Sequence, residues 1–455
     1  MIEINREPSI KVGLMSGAQS VRFELLGQFQ TKSGETVEAG EYVATLSNGE
    51  IVINGAGELT GTTIQFSPVD FAACRFKVFD VVIGINFHWE RKETQVFQGA
   101  LKLIAYSGGL TIINKLPLES YLISVISSEM NANCPPELLR AHAIVSRSWL
   151  LAQLENARRI DGEPSTLSGF ANEDVQGEVE EIIKWYDREN HASFDVCADD
   201  HCQRYQGVTK IFSEEAMNAV QDTRGNVLVY DETICDARYS KSCGGMSEVY
   251  RAAWEDKEIA YLTAVYDWLG DKEDYAIPLT DETNAKAWIT AEPLAYCNTK
   301  SKTLLARILP GFDQETMDFY RWRVGYTQEE IQELLRSRTG IDFGSIISLA
   351  AIERGESGRI IKLKITGTKR TVIIGKELEI RRALSRSHLY SSAFVVRVEQ
   401  NETSAYPDSF ELIGAGWGHG VGLCQIGAAV MADAGFNHQQ ILAHYFKNTE
   451  LQTLY

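Results

Sequence analysis

The sequence is short of basic charge, of cysteine and of long apolar runs, and each shortage excludes something. Lys plus Arg number 44 against 62 Asp plus Glu, a formal net charge of −18. A general nucleic-acid binder neutralises phosphates with a Lys/Arg surplus on at least one face, so this balance argues against that class. Eight cysteines in 455 residues are too sparse for a disulfide scaffold. No stretch of about 18 apolar residues occurs, so no transmembrane helix is expected. The first residues, Met1-Ile-Glu-Ile-Asn-Arg-Glu-Pro-Ser9, hold neither a cationic stretch nor an apolar core, and no secretory signal is expected in the chain as it stands. There is no internal repeat and no low-complexity segment. What is present is a 44% hydrophobic chain, ample for a real core, with length for about three folding units or one domain with large insertions.

The chain changes character at Pro117. From Ile10 to about residue 114, alternating or β-branched runs such as Val21-Arg-Phe-Glu-Leu-Leu26 and Glu50-Ile-Val-Ile-Asn54 are separated by Gly, Ser and Asn turns, which predicts strands. After Pro117 the apolar residues recur every three or four positions, which predicts a helix over 118–130. A second helix is predicted over 136–154, opened by Pro136. Further helices are expected at 213–222, 327–338, 428–434 and 439–446, with strands at 228–230 and 237–240. Residues 155–190, which include an acidic run from Glu173, read as an insertion, and 255–405 as a long mixed segment. The fold class is α+β: a β-rich N-terminal region over 1–95, then a mixed α+β domain over 96–455 with insertions near 155–190 and within 255–405.

Four places carry candidate chemistry. Glu129 closes a mostly apolar helix in Ser127-Ser-Glu-Met130. Desolvation and the negative end of the helix dipole both disfavour its charged form, which suits a general acid for glycosidic cleavage; an ordinary Glu ending a surface helix has the same pattern. His191, Cys197, His201 and Cys202 offer two imidazoles and two thiols within twelve residues. They suit a structural zinc site, a Cys197–Cys202 disulfide, or neither. The run Gly416-Trp-Gly-His-Gly-Val-Gly-Leu-Cys-Gln-Ile-Gly427 lets backbone approach a ligand closely beside the Trp417 indole, or makes a tight turn before a helix; no strand–helix context supports a dinucleotide reading. Tyr239-Ser-Lys-Ser-Cys-Gly-Gly245 places Ser242 and Cys243 as conceivable nucleophiles with His419 as base, although a loop lining a cleft is the simpler role.

In this order the segments resemble the SpoIID/LytB family, which contains a sporulation lytic transglycosylase and amidase enhancers. Asn114-Lys-Leu-Pro-Leu-Glu-Ser-Tyr-Leu-Ile-Ser-Val-Ile-Ser-Ser-Glu-Met130 and Pro136-Glu-Leu-Leu-Arg-Ala-His-Ala-Ile-Val-Ser-Arg-Ser-Trp149 are similar to the family's two helical signatures. His201-Cys-Gln-Arg-Tyr-Gln-Gly207, Tyr239–Gly245, the 416–428 run and Ile441-Leu-Ala-His-Tyr-Phe446 complete the set. The likeness runs from about residue 95 to the C-terminus.

The resemblance implies a peptidoglycan-cleaving lytic transglycosylase with Glu129 as acid/base, acting between N-acetylmuramic acid and N-acetylglucosamine and leaving a 1,6-anhydro ring. The alternative it implies is a non-catalytic glycan binder that enhances a cell-wall amidase. It further implies His142, Arg147, Tyr239, Ser242, Gly244, Gly245, Trp417, His419 and Gln425 as substrate-binding residues. A structural zinc ion on His191, Cys197, His201 and Cys202, partners in peptidoglycan glycan strands and an amidase, and a place in the cell envelope follow from it too. The chain departs from the family pattern at His142 (usually Gln), Ser146 (commonly Ala), Cys424 (usually Ser) and Cys243 (often another small residue).

Overall fold

The computed structural model describes residues 6–55, 59–84, 90–131, 133–160, 180–185, 191–199, 202–209, 214–270, 277–309 and 318–455. The chain forms two compact units. The first takes in Met1–Ala157, Asn190–Val227 and Gln452–Tyr455, and the second Arg158–Glu189 and Leu228–Leu451.

In the first unit, period-2 alternation folds as strands that bury one face. Ser20–Leu26 buries Val21, Phe23 and Leu25 between more exposed neighbours. One sheet has the strand order Val196–Cys197, Ser9–Ala18, Gly109–Pro117, Ala100–Tyr106, Thr63–Pro68, Phe29–Gln30, Thr36–Val37. The other runs Arg91–Phe97, Arg75–Ile83, Ser20–Leu26, Gly40–Ser47, Glu50–Asn54, Leu59–Gly61. Phe23 of the second sheet meets Phe66 of the first with ring centroids 5.6 Å apart, and Phe29, Phe76 and Phe97 are also fully buried. Residue 95 lies inside the strand Arg91–Phe97, so strands continue from the β-rich region through Gly109–Pro117.

Helices follow at once. α1 (Leu118–Glu129) begins where Pro117, extended at φ −60° and ψ 149°, ends the last strand. α2 (Pro136–Ile160) carries proline where the missing N–H is an orphan anyway. Every side chain from Ala141 to Gln153 is buried, so this middle stretch of α2 is covered all round. α3 (Glu214–Asp222) closes the unit, its Asp222 ion-paired to Arg140 of α2 at 2.7 Å.

The second unit holds a four-stranded sheet, Glu180–Ile183, Thr371–Gly375, Ile360–Gly367, Ile346–Arg354, and a three-stranded one, Arg321–Thr327, Ser409–Ala415, Phe394–Glu399. Its helices are α4 (Glu282–Thr290), α5 (Lys302–Ile308), α6 (Gln328–Thr339), α7 (Glu377–Ala383), α8 (Gln425–Asp433) and α9 (His438–Tyr445). α6 starts at a capping box, Thr327 with Glu330, and stops at Gly340 in the left-handed region at φ 75°. Its Ile331 and Leu335 join Trp322, Leu363, Phe394 and Leu412 in one core, while Trp288 and Ile289 of α4 pack on Val395 and Ile413. The long segment 255–405 thus supplies core. Of the stretch 155–190, α2 extends to Ile160 and Glu180–Ile183 is an edge strand parallel to Thr371–Gly375; residues 161–179 lie outside the described residues. Among the described residues no helix is long and apolar enough to cross a membrane.

Candidate active site

Glu129 is the last residue of α1 and half-buried, with Met130 beyond it back in extended conformation. The Arg204 N–H donates to its Oε1 at 2.9 Å. That contact belongs to a series in which the segment 203–206 lies along α1. Tyr121 donates its hydroxyl to Gln203 Oε1 at 3.2 Å, Tyr205 stacks on Tyr121 with ring centroids 5.2 Å apart, and the Gln206 N–H donates to Ser124 Oγ at 3.3 Å. Tyr205 also donates to the buried Asn114 Oδ1, and Gln203 donates to the Ser146 carbonyl of α2 at 3.4 Å. Burial, with Cys202, Cys197 and Glu129 nearby, holds the Tyr121 phenol well above its ordinary value. It therefore stays a neutral donor. The carboxyl of Glu129 is oriented by backbone that α1 itself fixes.

Arg147 of α2 is fully buried and grips Glu119 of α1 with both prongs of its guanidinium, Nε to Oε1 at 2.9 Å and Nη2 to Oε2 at 2.6 Å. It donates as well to the Asn226 carbonyl at 3.0 Å, while Glu119 accepts from Tyr455 Oη at 2.6 Å and the Gly225 N–H at 3.3 Å. This geometry makes Arg147 a clamp between the two helices. His142, one turn earlier, is also fully buried, 3.3 Å from Ser146 Oγ.

His191, Cys197 and Cys202 come together, with ligand atoms all within 4.8 Å of one another. Cys197 is carried by the short strand paired to Gly13, and its N–H donates to Cys202 Sγ at 3.4 Å; His191 Nε2 lies 3.4 Å from the same sulfur. His201 lies outside the described residues. Two thiols and an imidazole at this spacing, with an N–H aimed at one sulfur, fit the donor set of a zinc site. Cys202 is followed directly by the segment that holds Glu129.

In the second unit the structure joins the two glycine-rich motifs. Ser242 and Trp417 exchange backbone hydrogen bonds at 3.1 and 2.8 Å, and Tyr239–Ser240 pairs in parallel with Leu423–Cys424. Tyr239, Ser242, Gly244, Gly245, Trp417, His419 and Gln425 therefore belong to one loop assembly. Trp417 is half-buried against Phe319 and Tyr390, with centroids 4.6 and 4.5 Å away. His419 packs on Trp254, and its Nδ1 accepts from the Val421 N–H at 3.0 Å. Burial, with Arg238 and Arg359 nearby, holds it well below its ordinary value, so the ring is neutral. With Nδ1 already accepting, and Ser242 and Cys243 both buried, the loop reads as scaffold and lining rather than a nucleophile with its base.

The assembly rests on residues that sequence reasoning missed. Arg359, fully buried, donates to the Gly418 carbonyl at 3.1 Å, the Cys243 carbonyl at 3.2 Å and Ser357 Oγ at 2.9 Å. Glu248, also fully buried, accepts from Ser357 Oγ at 2.6 Å and from the Glu356 and Ser357 N–H groups, while its own N–H donates to Gly420. Gly420 shows why glycine is needed: at φ 78°, a Cβ would sit 2.4 Å from the Arg359 guanidinium carbon. A lone Arg or Glu in a strand-rich stretch gives no signal; only Glu119, inside the first helical motif, was within reach of the sequence.

Residues 106–230 match the family model described as Stage II sporulation protein, SpoIID. Residues 248–422 match a domain of unknown function, DUF8618. The chain is 25% identical over 247 residues to the amidase enhancer of Bacillus subtilis, covering 51% of this chain and only 32% of that relative's length. It is 22% identical over 339 residues to Stage II sporulation protein D of Bacillus subtilis, covering 74% of this chain and 75% of the relative. An uncharacterized protein of Brachyspira hyodysenteriae is 22% identical over 356 residues, 78% of this chain and 72% of its own. The matched 106–230 stretch contains α1, the Arg147 clamp and the segment that holds Glu129, and over that stretch the chain is similar to the SpoIID family.

Proposed function

We propose that the protein is a peptidoglycan lytic transglycosylase acting in the cell envelope, with Glu129 as its acid/base. The observation that carries this reading is the placement of Glu129: a half-buried carboxyl at the negative end of α1, oriented by the Arg204 N–H at 2.9 Å. Protonated Glu129 donates to the glycosidic oxygen between N-acetylmuramic acid and N-acetylglucosamine, and the C1–O bond breaks. The resulting carboxylate takes the proton of the muramyl C6 hydroxyl as that oxygen closes on C1. One carboxyl thus gives a proton and receives one back, so a single acid serves where a hydrolase uses two. The Tyr239–Gly245 and Trp417–Gln425 loops, taken by themselves, would offer a glycan backbone polar groups and aromatic surface within the second unit.

A zinc ion held by His191, Cys197, His201 and Cys202 would supply a fixed loop. The residues that follow, Gln203 to Gln206, position Glu129 through the contacts along α1.

A second reading keeps the glycan site without cleavage: an enhancer of a cell-wall amidase. The likeness to a protein named amidase enhancer supports it. Incubation with sacculi separates the two. A transglycosylase releases anhydromuropeptides on its own, and Glu129→Gln stops the release. An enhancer yields none but accelerates peptide release by an added amidase.

A further inference from the structure

Cys243, Cys297 and Cys424 come from three separate stretches of sequence and meet Asp267 inside the second unit. All four are buried, and their ligand atoms lie within 4.8 Å of one another. The sulfurs of Cys243 and Cys297 are 3.6 Å apart. That is far beyond a disulfide bond of about 2.05 Å, and close to the roughly 3.8 Å that separates two thiolates bound at about 2.3 Å on a tetrahedral zinc ion.

The surroundings are built for negative charge. Cys424 Sγ accepts from the Cys243 N–H at 3.2 Å and the Gly427 N–H at 3.4 Å. Asp267 Oδ2 accepts from the Cys297 N–H at 2.9 Å, and Oδ1 from Tyr445 Oη at 2.6 Å. Yet no Lys or Arg among the described residues pairs with Asp267. The nearest ionisable base is His444, whose Nε2 is 3.9 Å from Oδ1 and whose two buried ring nitrogens have no hydrogen-bond partner. A buried carboxylate beside three thiols, with donors but no cation, is a costly arrangement for a protein to keep. A divalent cation bonded to all four groups lowers that cost.

We propose that Cys243, Asp267, Cys297 and Cys424 form a closed metal site for a borderline-soft divalent ion, zinc, distinct from the His191–Cys202 loop. Binding releases the thiol protons to solvent and ties the Tyr239–Gly245 loop to the start of α8 and to the turn after α4. With four protein ligands the site has no open position, so its role is structural.

The test uses the full chain purified under reducing conditions with zinc present. Metal content is measured for the Cys197→Ser/Cys202→Ser protein, which disables the other cluster, and for the same protein carrying Cys297→Ser. X-ray absorption of the first defines the ligand shell. The expected result is one equivalent of zinc in a sulfur-dominated shell in the first protein, lost in the second. If Cys297→Ser prevents folding, retention and ligand shell in the first protein still decide. A folded first protein without zinc, a shell lacking sulfur, or peptide mapping that finds Cys243 disulfide-bonded to Cys297 in the purified chain would overturn the proposal.

Discussion

Glu119 and Arg147 are the pair whose loss the fold should feel most. Both charges are out of water, held bidentately, and their remaining donors and acceptors are met by Asn226, Gly225 and Tyr455. Removing one partner strands the other, so Glu119→Gln should cost about 3–5 kcal/mol in a urea-unfolding experiment. A loss below about 1 kcal/mol would mean the pair is solvated in solution. His388 gives a pH signature. Burial, with Arg381, Arg382 and Arg338 nearby, pushes it down to about 3. The unfolded chain takes up that proton near pH 6.5, so the contribution is intact above about 6.5 and is lost as pH falls toward about 3. Between about pH 7 and pH 4, stability should fall more steeply in the native protein than in His388→Asn; equal slopes would contradict the assignment. At this scale the meeting of His191, Cys197 and Cys202 was legible from spacing, His201 lying outside the described residues. Arg359, Glu248 and Asp267 were not, because a buried charge is recognised by partners far away in sequence, such as Gly418 for Arg359.

Among the elements, α1, α2 and α6 were legible because each couples an apolar stripe to a start signal: Pro117, Pro136 and the Thr327–Glu330 box. α4, α5 and α7 are short, and short apolar runs do not separate helix from strand. The glycine-rich loop was recognised as special, but not the reason. Gly420 needs both its left-handed φ and the space Arg359 fills, whereas Gly340 needs only the φ of 75°, with nothing within 4 Å of its Cβ. Gly340→Ala should therefore cost about 1–2 kcal/mol for the backbone alone, and Gly420→Ala distinctly more; equal losses in thermal unfolding would deny the loop–Arg359 packing. The 203–206 segment makes a parallel prediction. Cys197→Ser/Cys202→Ser should lower glycan cleavage several-fold while leaving far-ultraviolet dichroism unchanged, since it loosens the backbone that orients Glu129. Full activity in that variant would separate the thiol cluster from the role proposed for Glu129.

For the molecule as a whole, the charge of −18 fits the proposed function if a glycan is met by aromatic rings and backbone polar groups rather than by a basic patch. Binding to sacculi, followed by co-sedimentation, should be unchanged or strengthened by added salt, because screening can only relieve repulsion; a steep loss with salt would point to a cationic groove. The α+β class and the order of motifs were legible along the chain. The division into two units was not: Gln452–Tyr455 belongs with the first unit and Leu228–Leu451 makes up most of the second, and no local pattern reports which distant segments share a core. The central claim remains chemical, that one carboxyl at the end of α1 cuts the glycan strand. It is tested most directly by digesting sacculi and peptide-free glycan strands with the native protein and with Glu129→Gln, and resolving the products by mass spectrometry. The account predicts 1,6-anhydromuramyl ends from the native protein and none from the variant. No anhydro ends from the native protein, or equal release by both, would contradict it.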